Sequence, residues 1–125
     1  MKLLLDTHVW LWLNLSPERL PARVAAALAD PDNEIVVSVA SIWELSIKHA
    51  LGKIDVGGAF LPFVDRALKD IEILDICLAD VQRGYDLPRI HRDPFDRIII
   101  AQALARGFTL ASVDHTVATY GVPLL

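Results

Sequence analysis

The chain has 125 residues, of which 54% are hydrophobic and 22% charged, and its formal net charge is −4. These values are typical of one globular domain, here residues 1–125, and exclude a disordered chain. The acidic balance argues against a protein that binds nucleic acid through a broad basic surface. No apolar run approaches the roughly 20 residues of a membrane span and no secretory signal is recognised, so we expect no membrane association and a cytoplasmic location.

The first half of the chain alternates predicted strands and helices. A short apolar strand runs directly into Asp6, a residue type that commonly caps the start of a helix. Three β-branched residues between turn residues predict a second strand, and a helical pattern that ends at Gly52 follows it. In chain order we predict a strand Lys2–Leu5, helices His8–Leu13 and Ala22–Ala29, a strand Glu34–Ser38 and a helix Ala40–Leu51.

The second half continues the alternation. Asp93 and Pro94 form a strong helix start, because Asp caps the first turn and Pro needs no hydrogen-bond acceptor there. That helix should run to Arg106 and stop at Gly107. The other elements predicted here are a helix within Gly57–Asp70, a strand Ile71–Ile76, a helix Leu78–Tyr85, a strand Phe108–Ser112, a helical turn Asp114–Thr119 and an edge strand Tyr120–Leu125.

This order of elements predicts the fold class. Strands that alternate with helices favour right-handed βαβ units, and therefore an α/β fold with a parallel sheet between two layers of helices. We expect four to five strands in a three-layer arrangement. In such folds ligands bind beyond the carboxyl ends of the strands.

Four acidic residues are predicted at that edge of the sheet. Asp6 and Asp114 follow strands, and Glu44 and Asp96 lie in the first turns of helices that lead away from the same edge. Each has an ordinary alternative explanation: Asp6 and Asp114 as helix caps, Asp96 as a complement to a helix dipole, and Glu44 as the i,i+4 partner of Lys48.

The grouping of these acids indicates a metal site. Neighbouring carboxylates repel one another and raise each other's pKa unless a cation neutralises them. Oxygen ligands suit Mg²⁺ or Mn²⁺, and a site that keeps bound water serves phosphodiester hydrolysis. The four histidines lack the spacing of a zinc site, and the single Cys77 allows neither a disulfide nor a cysteine-rich site. We interpret Cys77 as a small buried apolar residue.

Two further groups of residues have competing interpretations. Trp10 and Trp43 lie in apolar helical runs, so we assign them to core packing or a dimer contact rather than to base stacking. A basic cluster near residue 90 is either a solvated loop with salt bridges or a contact to a substrate phosphate. Its members are Arg89, His91, Arg92 and Arg97.

Four separated motifs then resemble one family, the PIN-domain nucleases, and most closely the VapC-type toxins of bacterial toxin–antitoxin pairs. The motifs are Leu-Leu-Asp-Thr-His at 4–8, Ser-Ile-Trp-Glu-Leu-Ser-Ile-Lys at 41–48 followed by Gly52-Lys53, His-Arg-Asp-Pro-Phe-Asp-Arg at 91–97 followed by Ile-Ala-Gln-Ala at 100–103, and Ser-Val-Asp at 112–114. They occur in the family's order and span essentially the whole chain. Their combination is far more specific than any one of them.

The resemblance implies a Rossmann-like sheet, Mg²⁺- or Mn²⁺-dependent endoribonuclease activity, homodimerisation and inhibition by a small VapB-like antitoxin. The family's acidic positions fall on Asp6, Glu44, Asp96 and Asp114, which would bind the metal and act in catalysis. Supporting positions fall on Thr7, Asp93 and Ser112, with Asp93 a helix cap first and an outer metal partner second. Ser112 stands where many members have Thr. We expect Arg92 and Arg97 to contact substrate phosphate.

Two other functions fit parts of the sequence. A phosphatase of the haloacid dehalogenase kind also begins with a strand that ends in Asp, but such a site carries a second Asp two residues later, where this chain has His8. A catalytically silent interaction module would use the acidic edge only to receive basic residues of a partner. Carboxylate-dependent catalysis by the free protein separates these alternatives from the nuclease.

Overall fold

Four strands and six helices alternate along the chain in the computed structural model, which describes residues 1–125. They are β1 (Lys2–Leu5), α1 (Thr7–Leu15), α2 (Ala22–Ala29), β2 (Glu34–Ser38), α3 (Val39–Ala50), α4 (Phe60–Ala67), β3 (Glu72–Leu74), α5 (Leu78–Asp86), α6 (Pro94–Arg106) and β4 (Thr109–Ala111). Two short 3₁₀ helices lie at Pro17–Arg19 and His115–Tyr120. No helix has the length and apolar character needed to cross a membrane.

The strands form one parallel sheet in the order β3-β2-β1-β4. β1 lies between β2 and β4, and its Leu4 pairs with Val36 on one side and Leu110 on the other. Since all four strands run in the same direction, their carboxyl ends meet at one edge of the sheet. The predicted parallel sheet is therefore confirmed, with four strands.

Helices cover both faces of the sheet. Leu3 and Leu5 of β1 belong to a core shared with α1, α2 and α4, whereas Leu4 belongs to a second core built mainly with α6. This division follows from the alternation of side chains along a strand, which sends neighbouring residues to opposite faces. All three leucines are fully buried. The three-layer prediction is confirmed.

The predicted fifth strand, Tyr120–Leu125, is wrong. The end of the chain makes one isolated parallel bridge, between Leu110 of β4 and Leu124. Its hydrogen bonds run from the Leu110 N–H to the Pro123 carbonyl at 2.8 Å and from the Leu125 N–H to the Leu110 carbonyl at 2.9 Å. Pro123 has no N–H to donate, and Tyr120 still belongs to a 3₁₀ helix, so the ladder stops after this bridge.

Helix α4 is shorter than the predicted range of 57–70. It begins at Phe60, which makes Pro62 its third residue, in the first turn where a missing N–H costs no intrahelical hydrogen bond. Gly107 ends α6 with a left-handed φ of 68°, as the sequence predicted for a helix stop.

The predicted burial of Cys77 is wrong, and of the two alternatives predicted for Trp43 the core alternative is wrong. The Cys77 side chain is exposed, because Cys77 caps the start of α5 at the surface. Trp10 is fully buried as predicted, but Trp43 is 57% exposed and packs edge-on against Phe95 with 5.0 Å between ring centroids. The dimer contact suggested for Trp43 stays a prediction.

Candidate functional site

Three of the four predicted acids line one cavity at the carboxyl edge of the sheet. Asp6 directly follows β1, Asp114 follows β4, and Asp96 lies in the first turn of α6. The cavity has a volume of about 420 Å³. Its remaining walls are formed by His8, Trp12, Ile99, Ile100, Leu110, Ser112, Val113 and Val117. The fold thus brings together carboxylates that are up to 108 positions apart in sequence.

Asp6 is fixed by both its backbone and its side chain. Its N–H donates to the Ala111 carbonyl at 3.0 Å, which extends the pairing of β1 with β4 by one residue. Its carboxylate caps α1 by accepting the Val9 N–H at 2.8 Å. Burial raises the pKa of this carboxyl, although the Ser112 hydroxyl and the Val9 N–H act in the opposite direction. The capping role predicted as an alternative is therefore real and coexists with a position in the cavity.

Asp96 has the most perturbed carboxyl of the site. Burial, followed by the charges of Asp93 and Glu44, raises its pKa from 3.8 to about 6. Asp6 adds to the same effect, so Asp96 lies within the electrostatic range of three other acids. The opposing effect of His91 is smaller than the combined effect of burial and these acids, so ionising Asp96 costs free energy. A bound cation would remove that cost.

Asp114 is oriented by hydrogen-bond partners of its own. One of its oxygens, Oδ2, lies 2.6 Å from His91 Nε2, and the other accepts the Thr116 hydroxyl at 2.6 Å and the Thr116 N–H at 3.0 Å. The other ring nitrogen of His91 lies 2.8 Å from the Tyr120 hydroxyl. Hydrogen bonding from His91 lowers the pKa of Asp114, so this acid stays ionised.

Glu44 is the one predicted acid that does not line the cavity, and it is 4% exposed. Its Oε2 forms the predicted i,i+4 ion pair with Lys48 at 2.9 Å. Its other oxygen, Oε1, is buried and has no hydrogen-bond partner. A buried carboxylate oxygen without a partner is costly. A hydrogen-bond donor or a cation from outside the chain would remove that cost.

The three supporting residues have defined structural contacts. Thr7 is buried and its hydroxyl donates to the Ser41 hydroxyl at 3.1 Å, which joins α1 to α3. The Ser112 hydroxyl accepts the Asp114 N–H at 3.1 Å. Asp93 caps α6 by accepting the N–H groups of Phe95 at 2.8 Å and Asp96 at 3.4 Å. The contacts of Asp93 are thus those of a helix cap, which is the first of the two roles expected for it.

The two arginines expected at a substrate phosphate differ in their surroundings. Arg97 donates to four backbone carbonyls, those of Gly84, Leu87, Pro88 and His91, at 2.8 to 3.4 Å. Four of the five N–H donors of the guanidinium are thereby engaged within the chain, which is a structural role, and the phosphate contact expected of Arg97 stays a prediction. Arg92 is exposed and makes no such bonds.

The donor set fits a hard divalent cation, but the ligands are not yet gathered around one point. No three His, Cys, Asp or Glu side chains converge at the distance of metal ligands. Asp114 is bound to His91 and Thr116, and one oxygen of Glu44 is bound to Lys48. The fit lies in the chemistry: carboxylate oxygens are what Mg²⁺ and Mn²⁺ prefer, and both the raised pKa of Asp96 and the orphaned Glu44 Oε1 call for a positive charge.

The contact of His91 with Asp114 is the main feature of the site that sequence reasoning missed. The two residues are 23 positions apart, and Tyr120 lies 29 positions from His91. Neither spacing corresponds to a local pattern. The sequence indicates His91 only as a member of the motif at 91–97 and of the basic cluster near residue 90. That cluster predicts either a solvated loop with salt bridges or a contact to a substrate phosphate, and it indicates no partner for His91.

Comparison with known sequences finds a matching family model and a similar protein. The sequence model of the PIN domain family matches residues 3–122. Ribonuclease VapC22 of Mycobacterium tuberculosis is 26% identical over 121 residues, which cover 96% of this chain and 92% of that protein.

Solved structures share the fold over nearly the whole chain. The complex VapBC2 from Rickettsia felis, bound to a DNA fragment from its promoter, aligns with a TM-score of 0.75 at 18% identity and covers 100% of this chain and 98% of that chain. FitAcB from Neisseria gonorrhoeae aligns with a TM-score of 0.70 at 19% identity, covering 98% of this chain and 96% of that chain. A toxin–antitoxin complex from Klebsiella pneumoniae aligns with a TM-score of 0.63 at 20% identity, covering 98% and 94%.

Proposed function

Since this chain belongs to the PIN-domain family, we propose that it is a metal-dependent endoribonuclease and the toxin of a VapBC-type toxin–antitoxin pair. The observation that carries the proposal is the meeting of Asp6, Asp96 and Asp114 in one cavity, where burial and then the neighbouring acids raise the pKa of Asp96 to about 6. The name of the curated relative, a ribonuclease of the VapC type, supports the reaction class.

In this proposal Asp6 and Asp96 hold Mg²⁺ or Mn²⁺ directly. Asp114 completes the site, and Glu44 either binds the metal through its free Oε1 or positions the attacking water. A bound divalent cation supplies charge stabilisation at the phosphate and lowers the pKa of water. In-line attack of a water molecule on the phosphorus would form one P–O bond and break another, with the water giving up a proton and the departing oxygen taking one up.

The remaining residues orient these acids. Val9 and Ser112 hold the Asp6 carboxylate at the end of β1, and the Asp93 cap fixes the first turn of α6, which carries Asp96. His91 and Thr116 keep Asp114 ionised and fix its direction. Polar groups that are already oriented do not have to reorient during the reaction, whereas water molecules in solution do.

The proposed partners are an antitoxin and a second copy of this chain. Several structural relatives are described as VapBC or toxin–antitoxin complexes, which supports a VapB-like antitoxin. An acidic cavity open to solvent suits a basic segment of such a protein. Because the whole chain carries a net charge of −4, we also expect it to cleave a particular RNA site or structure rather than RNA in general.

The test is cleavage of total cellular RNA by partner-free protein in Mg²⁺ or Mn²⁺, compared with EDTA and with an Asp6→Asn, Asp96→Asn double variant. Discrete products that disappear in both controls are expected. Absence of cleavage, after loading of the metal is verified, would favour the silent interaction module, whose acidic cavity serves only to receive a partner.

A further inference from the structure

A second groove borders the catalytic cavity, and of its lining residues only His91 has a part in the mechanism above. It has a volume of about 700 Å³ and lies between α5, the segment 87–93 and the start of α6. The side chains that give it chemical character are Tyr85, Arg89, His91 and Arg92. Three of these four carry or can carry positive charge, which contrasts with the acidic cavity beside it.

The charges of this groove are free to meet a ligand. Arg89 and Arg92 are both exposed, and neither forms an ion pair or a side-chain hydrogen bond within the chain. Lys48 and Arg106, by contrast, are paired with Glu44 and Asp80. Other exposed cations, such as Arg66 and Lys69, are also unpaired, but only Arg89 and Arg92 line this groove without an internal partner. In a chain of net charge −4, two unpaired guanidinium groups that line one groove form a local attraction for a polyanion.

Arg97 makes the groove rigid. Its four hydrogen bonds to carbonyls of residues 84 to 91 join the end of α5, the segment that carries Arg89, and the first turn of α6. A loop that is held in place before binding loses less conformational entropy when a ligand arrives. The groove is therefore built in advance of its ligand.

The groove is continuous with the catalytic cavity through His91. The His91 ring lines the groove, and its Nε2 lies 2.6 Å from Asp114 Oδ2, which lines the cavity. A strand with one phosphate at the acids can therefore extend its neighbouring phosphates past His91 toward Arg92 and Arg89. Guanidinium groups bind phosphate oxygens in a bidentate manner, so their chemistry matches such a strand.

An aromatic side chain completes the surface. Tyr85 is 77% exposed and lines the same groove, where no residue of the chain covers its ring. An exposed ring beside unpaired arginines is the combination by which proteins bind single-stranded nucleic acid, with bases stacked on the ring and phosphates at the cations.

We propose that this groove binds the single-stranded RNA segment that flanks the cleaved bond. Arg89 and Arg92 contact its phosphates, and Tyr85 stacks on one of its bases. The inference rests on the proposed function for the direction in which the RNA strand leaves the acidic cavity. Binding of RNA to the groove can be measured without catalysis. It assigns Arg97 to the scaffold and adds Arg89 and Tyr85 to the substrate contacts.

The first experiment measures binding alone. The probe is a fluorescein-labelled single-stranded RNA of about 12 nucleotides, titrated in EDTA so that it is not cleaved, at salt concentrations from about 50 to 200 mM. For the Arg89→Ala, Arg92→Ala variant we expect affinity at the lowest salt to fall about 10-fold or more. The slope of log Kd against log salt should fall by about 1.4, because each phosphate contact on a single strand contributes about 0.7.

Matched variants separate the groove from general charge. Arg66→Ala, Lys69→Ala removes the same charge from exposed positions at the end of α4, on the other face of the sheet, and should leave affinity and slope near those of the wild type. Arg89→Lys, Arg92→Lys should keep the slope. Tyr85→Ala should weaken binding roughly 10-fold, whereas Tyr85→Phe should not. Equal affinities for the two charge-removing variants would overturn the proposal, as would an RNA probe that does not bind.

Cleavage then distinguishes this proposal from the proposed function. With a long RNA substrate, the Arg89→Ala, Arg92→Ala variant should raise KM about 10-fold or more, whereas the Arg66→Ala, Lys69→Ala variant should leave KM near that of the wild type. RNA binding that depends on the groove in a protein that cleaves nothing would support the groove while refuting the nuclease. Cleavage of long RNA that ignores both arginines would refute the groove while supporting the nuclease.

Discussion

Replacing Asp96 by Asn should stabilise the metal-free protein while it abolishes cleavage. The folded chain holds this carboxyl among other acids, and its pKa rises from 3.8 to about 6 as a result of burial and the charges of Asp93 and Glu44. A shift of that size corresponds to about 3 kcal/mol. Because Asp96 is only partly buried, solvent screening reduces the expected gain of the Asn variant to about 1 to 2 kcal/mol.

The pH dependence of this gain follows from the direction of the shift. A raised carboxyl pKa means that the folded state binds a proton more tightly than the unfolded state, so the wild type loses stability as pH rises from about 4 to about 6. The Asp96→Asn variant has no carboxyl at this position and does not lose stability in that way. The difference in free energy of unfolding should therefore be full above pH 6 and disappear below pH 4.

Urea unfolding in EDTA at several pH values measures this difference. Asp65→Asn, which removes an exposed acid on α4, is the control and should show no comparable gain. Saturating Mg²⁺ should reverse the order, since a ligand at a hundredfold excess over its Kd stabilises the wild type by about 2.7 kcal/mol. An Asp96→Asn variant that is no more stable than the wild type at pH 7.5, or whose gain persists at pH 4, would refute the reasoning.

Three stability predictions concern the frame of the site, and urea unfolding at pH 7 measures each. Asp80 is 1% exposed, and although burial opposes its charge, Arg106 and the Cys77 N–H hold its pKa at about 2. Asp80→Asn should cost about 2 kcal/mol, a loss that shrinks as pH falls from about 4 to 2, and an unchanged midpoint would contradict it. Gly107→Ala should cost about 1 kcal/mol, because φ is 68°. Leu4→Ala, in the fully buried central strand, should cost about 2 to 5 kcal/mol. A loss below 0.5 kcal/mol in either would argue against these packing and strain arguments.

The features that the sequence predicted well are those with a local cause. Asp6 and Asp93 predict the starts of helices because a short carboxylate side chain can accept the free N–H groups of the first turn. Both side chains do so in the structure. The apolar strands at 2–5 and 34–38 have the predicted bounds because a parallel sheet buried on both faces needs continuous apolar runs. Parallel pairing then places residues after β1 and β4 at one edge.

The features that the sequence did not predict depend on distant partners. The position of Asp114 is decided by His91, 23 residues earlier, and nothing in the local sequence indicates that pair. Trp43 lies in an apolar helix, but which side of α3 meets the core depends on the packing of the neighbouring helices, and Trp43 falls on the open side. The C-terminal segment has strand-like residues, yet one proline among them ends the ladder.

The central claim, that the acidic cavity cleaves RNA with a bound metal, is tested most directly by two isosteric variants three residues apart. Asp93→Asn keeps a residue that caps α6 and removes a charge outside the cavity, whereas Asp96→Asn removes a charge that lines it. Cleavage of RNA by the partner-free protein in Mn²⁺ should survive the first substitution and fall at least about 100-fold with the second. Equal activity of the two variants would contradict the assignment of the site.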